Sequence, residues 1–179
     1  HPLSELLERG RLLGLAVAAI AAVAAPAQEA VAWLTVTQTG IPHPAQARRP
    51  PLVVDLSALW AGPLCSHLLQ IAGARVIKVE SLQRPDGARQ GPAAFYDLLN
   101  HGKASVALDF STPQGIAQLL RLLEQADIVI EASRPRALRQ LGINAEHLVA
   151  TTPGLTWISI NGYGRSEPQA HWIAYGDDA

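Results

Sequence analysis

The residues able to do chemistry are few and spread along the chain. Gly62-Pro63 closes the loop SALWAGP ahead of an apolar segment of helical spacing. A helix start offers unpaired N–H groups to an anion, and glycine lets a ligand approach the backbone. The same dipeptide also makes a tight turn without any ligand. Glu80 ends a β-rich run about 18 residues after Gly62, where dinucleotide folds carry a ribose-reading acid. The preceding AGPLCS has one glycine instead of the fingerprint, which argues against a nicotinamide or flavin site. Lys103 lies beside Asn100, His101 and Gly102, suited either to a phosphate or to solvent. Arg134, Arg136 and Arg139 cluster in EASRPRALRQLG, either to grip a phosphorylated ligand or as a solvated basic face. Cys65 has no charged neighbour in sequence and reads as a small core residue, and His67 as structural. The six histidines form no helical pair at metal spacing, so no metal is expected. Asp177-Asp178 reads as a frayed end, because adjacent side chains diverge.

These groups need elements to position them. LVVDLS (52–57), RVIKVE (75–80), SVALDF (105–110), DIVIEA (127–132) and LTWISI (155–160) read as five strands. Between them lie PLCSHLLQIAG, FYDLLN, the amphipathic QGIAQLLRLLEQA after a Thr112-Pro113 start, PRALRQLG and AEHLVATT, all read as helices. Strands separated by helices require crossovers. The expected fold is therefore α/β, a Rossmann-like, mostly parallel sheet with helices on both faces. Ligands in such sheets bind at the carboxyl ends of the strands.

Residues 1–50 read as a helical leader and Pro-rich linker. Leu12 to Ala27 carries no charge and falls about two residues short of the ~18 of a membrane span. It reads as a buried helix of small side chains. Its Arg9, Arg11 and Ala-x-Ala pattern imitate a secretory signal, but Glu5 and Glu8 spoil that segment. EAVAWLTVTQTG fits helix or strand, and IPHPAQARRPP reads as a linker.

Composition narrows the function classes. Hydrophobic residues make up 49% and charged ones 16%, enough apolar material to bury a core. The net charge of −1 leaves no basic surplus for nucleic acid. One cysteine excludes an intramolecular disulfide. The chain starts at His1 and has no Met, and so is expected to be a piece of a longer protein. Twelve of its 14 basic residues are Arg, which makes Lys78 and Lys103 the unusual choices.

Four motifs occur together from Pro51 onward. They are D-x-S-x-x-x-A-G-P (55–63), G-A-x-V-I-K-V-E (73–80), L-N-x-x-K-x-S-V-A-L-D (99–109) and I-x-G-Y-G (160–164). With this set, residues 51–179 resemble the N-terminal part of the large domain of the family III CoA-transferases, the CaiB/BaiF type. The resemblance implies a Rossmann-like large domain and two chains interlocked as rings. It implies transfer of CoA between carboxylic acids, with acyl-CoA as substrate and no covalently bound cofactor. An aspartate attacks the donor thioester, and an aspartyl-CoA thioester follows. That aspartate lies several tens of residues beyond Gly-Tyr-Gly, outside this chain. The expected catalytic set is therefore empty, and the isolated chain is expected to be inactive.

The resemblance further implies that Ala58, Leu59, Trp60 and Ala61 line the CoA site. Leu99 and Lys103 would sit near the nucleotide end, with Ala132, Ser133 and Arg139 beside them. Ala132-Ser133 replaces the family's frequent Asn-Phe, Ser81 its usual Arg after the glutamate, and Gln140 another Arg. Gly176 stands where the related acyl-CoA racemases carry a His, which lowers a racemase reading. The alternatives are a catalytically degenerate scaffold half that has lost CoA, a racemase or isomerase of the same family, and a dinucleotide-dependent oxidoreductase. A cytoplasmic location is expected, with no membrane and no nucleic-acid partner. An incomplete sheet should also leave an apolar face uncovered, so the fragment should dimerise, bind its missing half or aggregate.

Overall fold

A computed structural model describes residues 2–20, 33–40, 42 and 49–176. Residues 21–32, most of the linker and Asp177-Asp178 lie outside the described residues. The described residues fall into two compact units. One joins residues up to 39 with those from 161 onward, and the other spans 40–160.

The larger unit is a five-stranded, all-parallel sheet. Its strands are β1 (Leu52–Asp55), β2 (Arg75–Ser81), β3 (Ala104–Leu108), β4 (Ile128–Glu131) and β5 (Thr156–Ser159), in the order β3-β2-β1-β4-β5. Each expected strand is present, shortened by a residue or more at most ends. The central strands β1 and β4 are buried on both faces, so each is an apolar run that ends on one acid, whereas the edge strands β3 and β5 are more exposed. Val53, Val54, Val129 and Ile130 are accordingly fully buried. The chain order reverses between β1 and β4, which makes their carboxyl ends the switch point of the sheet.

Helices α2 (Ala61–Ile71), α3 (Ala93–Asn100), α4 (Pro113–Gln125), α5 (Pro135–Gln140) and α6 (Ala145–Thr151) follow the strands. Thr112 caps α4 by accepting from the Gly115 N–H at 3.1 Å, and Asn144 caps α6 through the His147 N–H. Gly73 leaves α2 at φ +101°, a conformation in which a Cβ would be strained. Helix α4 buries Leu119 and Leu123 in one core with Val54, Val79, Val129 and Ile143. On the other side of the sheet a smaller cluster gathers Val53, Val76 and Ile130, with Cys65 and Leu69 packed on it. Cys65 is thus placed as a packing residue. Burial and the Asp55 carboxylate both raise its thiol pKa, and Lys103 only partly offsets them. On the outside of α2, Leu64, Leu68 and Ile71 are exposed at helical spacing, as is Leu98 on α3.

The smaller unit corrects the reading of the leader. The helix here is the charged stretch, α1 (Leu3–Leu12), which carries a Glu5–Arg9 pair at 2.9 Å one turn apart. Gly14 at φ +76° follows its end. Residues 15–20 have no regular structure, and Leu13, Leu15 and Ile20 are exposed, so the expected buried helix is absent over these residues. A helix is set by propensity and pairing, and an apolar run without a face to pack against gains nothing from coiling. Residues 34–39 are likewise neither helix nor strand. The Arg11 guanidinium stacks over Trp172 at 3.6 Å, and Trp172 meets Tyr163 edge-on at 5.1 Å. No helix among the described residues is long and apolar enough to cross a membrane.

Candidate functional site

The carboxyl end of β1 runs into the loop Leu56–Trp60 and then into α2. A buried polar network lies beneath this loop. Asp55, fully buried, accepts from the Ser57 N–H at 2.9 Å and from the Ser57 hydroxyl. Its other oxygen accepts from Ser66 Oγ at 2.5 Å and faces Lys103 Nζ at 3.3 Å. The Lys103 ammonium also meets Pro63 O at 2.9 Å, Ser66 Oγ at 2.7 Å and Asn100 Oδ1 at 3.1 Å. Three N–H bonds therefore face four oxygens, and no donor is left for a ligand. Burial pulls this ammonium below its usual range, and the Asp55 carboxylate pushes back.

A second buried pair joins the first through Ser57. Lys78 Nζ donates to Ser57 O at 2.9 Å and pairs with Asp86 at 2.8 Å, both side chains being 1% exposed or less. Asp86 Oδ1 accepts from Leu59 N–H at 2.9 Å and from Ala88 N–H at 3.0 Å. Burial alone would raise the Asp86 pKa. The Lys78 ammonium and these two amides outweigh it and hold the carboxyl below its ordinary value. Asp86 N–H donates to Glu80, whose carboxylate is gripped by Arg89 at 2.6 to 3.2 Å. That grip lowers the Glu80 pKa against the effect of burial, and it leaves Glu80 no role as a free ribose reader.

The loop held this way is strained and exposed. Leu59 adopts φ +68°, outside the range favoured by residues with a Cβ, at a cost of roughly 1–3 kcal/mol. Trp60 is 63% exposed and stands edge-on to Phe95 at 6.1 Å. Gly62 lies within the first turn of α2, and the structure gives it a packing reason. Its φ is ordinary, but a Cβ there would lie 2.1 Å from the Ser57 side chain. Glycine at this position lets the first turn of α2 close over Ser57.

The structure gathers some of the expected site residues and separates others. Ala58, Leu59, Trp60 and Ala61 are exposed after β1, and Ala132 and Ser133 follow the adjacent β4. The Ser133 hydroxyl donates to the buried Glu131, which also accepts from Trp157 Nε1 and Ser159 Oγ. Leu99 is buried at 3% exposure, and Lys103 is spent within the protein. Arg139 makes an exposed 3.4 Å pair with Glu146. Below the loop, a cavity of about 140 Å³ is lined by Lys78, Arg89, Tyr96, Asn100, His101 and Lys103. It is well under the roughly 300–1,000 Å³ of a typical ligand pocket. Sequence reasoning gave no role to Asp55, Ser57, Ser66, Lys78, Asp86 or Arg89. One signal was present, since both lysines of an Arg-rich chain are the buried ones. A compact ammonium fits an enclosed ring of oxygens that a planar guanidinium would not.

The sequence profile of CoA-transferase family III matches residues 51–179, which contain the whole sheet. The chain belongs to CoA-transferase family III. It is 37% identical to the succinate–glutarate CoA-transferase of Agrobacterium fabrum, over 72% of this chain and 36% of that protein. It is 36% identical to the succinyl-CoA–D-citramalate CoA-transferase of Chloroflexus aurantiacus, over 69% of this chain and 33% of that one. Human alpha-methylacyl-CoA racemase matches at 34% identity over 64% of this chain and 28% of its own length. A solved CaiB/BaiF family structure from Brucella suis superposes with a TM-score of 0.66 at 34% identity, covering 73% of this chain and 37% of that one. The chain thus spans about a third of the length of the curated relatives it matches.

Proposed function

We propose that this family III chain contributes one wall of the CoA site of an acyl-CoA:carboxylate CoA-transferase. One observation carries the reading. The exposed loop Ala58–Ala61 and the segment Ala132-Ser133, exposed at Ala132 and half-buried at Ser133, follow adjacent strands at the switch point of the sheet, inside the family match. A helix start and a rigid loop at that place suit an extended, phosphate-bearing thiol ester. Leu99 and Lys103 then act from beneath, by shaping the wall, and Arg139 flanks it. Residues 51–179 form the N-terminal part of the large domain, with 1–50 as a leader and linker.

In the full-length protein a carboxylate nucleophile from outside these residues attacks the donor thioester. Thiolate leaves, and a mixed anhydride forms. The thiolate returns to give the aspartyl-CoA thioester, from which the acceptor acid takes CoA. The nucleophile's carboxylate is ionised at neutral pH without special activation. The isolated chain is then inactive, and the complete protein is a cytoplasmic, interlocked homodimer. The exposed apolar row Leu64, Leu68, Ile71 supports a face that further protein covers.

Calorimetric titration of CoA into the 179-residue chain tests the reading. Heat of binding that weakens in Trp60→Ala is expected, with no acyl transfer by the purified chain. Absence of binding favours the scaffold reading in which CoA has been lost. Turnover by the chain alone refutes the assignment of the nucleophile.

A further inference from the structure

We infer that Asp86, held by Lys78, is a positioning residue that locks the Ser57–Trp60 loop in its working conformation. The inference rests on the reading of that loop as a wall of the CoA site, and it goes beyond that reading by naming what sets the loop's shape. A left-handed leucine persists only where its surroundings over-determine it. Two restraints do so here. Asp86 Oδ1 accepts the Leu59 N–H at 2.9 Å, on the residue with φ +68°. Lys78 Nζ holds the Ser57 carbonyl two residues earlier at 2.9 Å.

The two restraints are themselves one unit, because Lys78 and Asp86 pair at 2.8 Å with both side chains buried. Asp86 is fixed in turn by its own N–H to Glu80 and by the Ala88 N–H on its Oδ1. Leu59 Cδ2 would also lie 3.4 Å from a Cβ on Gly87, so the leucine side chain rests on the segment that carries Asp86. The lock therefore runs from β2 and the loop after it into the loop after β1. The side chains of Lys78, Glu80 and Asp86 are buried, whereas Leu59 and Trp60 are exposed. The buried pair would act through the loop.

A buried pair cannot be tested by removing one charge alone, since the partner is left uncompensated. Two neutral double variants avoid this. Lys78→Met/Asp86→Asn keeps an acceptor for Leu59 N–H, and Lys78→Met/Asp86→Leu removes it. Both are made in the 179-residue chain, and two quantities are read: hydrogen exchange of the Leu59 amide, and CoA affinity. In wild type and in the Asn variant the Leu59 amide should be protected, although the residue is 44% exposed. In the Leu variant its exchange should rise at least ~10-fold, and CoA should bind about tenfold more weakly, equivalent to ~1.4 kcal/mol. A merely structural role would change the denaturation midpoint and leave both readouts equal between the variants.

Equal Leu59 protection and equal CoA affinity in the two variants would overturn the inference. So would loss of Leu59 protection in Lys78→Met/Asp86→Asn, which keeps the acceptor oxygen. If the wild-type chain binds no CoA, the proposed function fails, and the Leu59 amide alone decides the positioning claim.

Discussion

Gly62→Ala isolates the close approach on which the candidate site is built. A Cβ at residue 62 would lie 2.1 Å from both Cβ and Oγ of Ser57. Ser57 cannot step aside cheaply. It is 3% exposed, its hydroxyl and N–H both donate to Asp55, and its carbonyl is held by Lys78. Overpacking a dense site costs about 1–3 kcal/mol, and losing a hydrogen bond to a buried carboxylate about 1.5–3 kcal/mol. Alanine's better helix propensity returns at most about 1 kcal/mol. The net expected loss is about 2–5 kcal/mol, a fall in melting temperature of roughly 5–15 °C for a chain of this size. Urea denaturation of wild type and variant measures it. The exchange Ser57→Gly/Gly62→Ala returns the space and should recover part of the loss, giving a non-additive cycle. A Gly62→Ala protein within 0.5 kcal/mol of wild type would refute the packing argument. It would also reopen the reading of Gly62 as a turn or ligand glycine.

Other perturbations test the network and the framework. Lys103→Met leaves Asp55 buried without its ammonium and should cost about 3–5 kcal/mol, against a smaller loss when Asp55→Asn is added; equal losses in the single and double variants would contradict the pairing. Thr112→Ala should cost about 1 kcal/mol by removing the α4 cap, measured by the same denaturation. Asp86 and Glu80 titrate below their ordinary values in the folded state. Their stabilisation is complete above the unfolded pKa values, about 4, and is lost as pH falls through the lower folded values. Denaturation midpoints should hold from pH 7 to about 5 and fall below about 4. Glu80→Gln should flatten that fall, and an unchanged slope would argue against the Arg89 grip.

Much of the framework was legible in the sequence. Buried parallel strands are mostly apolar and β-branched, so LVVDLS, RVIKVE and DIVIEA read as strands despite the single charges they carry. Thr112-Pro113 marked the start of α4, because a cap and a proline both suit orphan N–H groups. The four motifs carried the family, which the profile match over 51–179 bears out. In the leader the described helix falls on the charged residues Leu3–Leu12, where a Glu5–Arg9 pair supports it, and not on residues 15–20 of the charge-free run.

The sequence by itself determined the strands, their helical connections and the family to which they belong. Each of these is written in local pattern, the periodicity of apolar residues and the spacing of motifs. Only the tertiary structure decided which charges are working partners. Lys78 meets Asp86 eight residues away, and Lys103 meets Asp55 across 48 residues, at 2.8 and 3.3 Å. No local pattern encodes such pairs, since they arise when β1, the loop after β2 and the turn before β3 are brought together. Burial then makes each charge require its partner, and the loop above inherits its shape from that requirement.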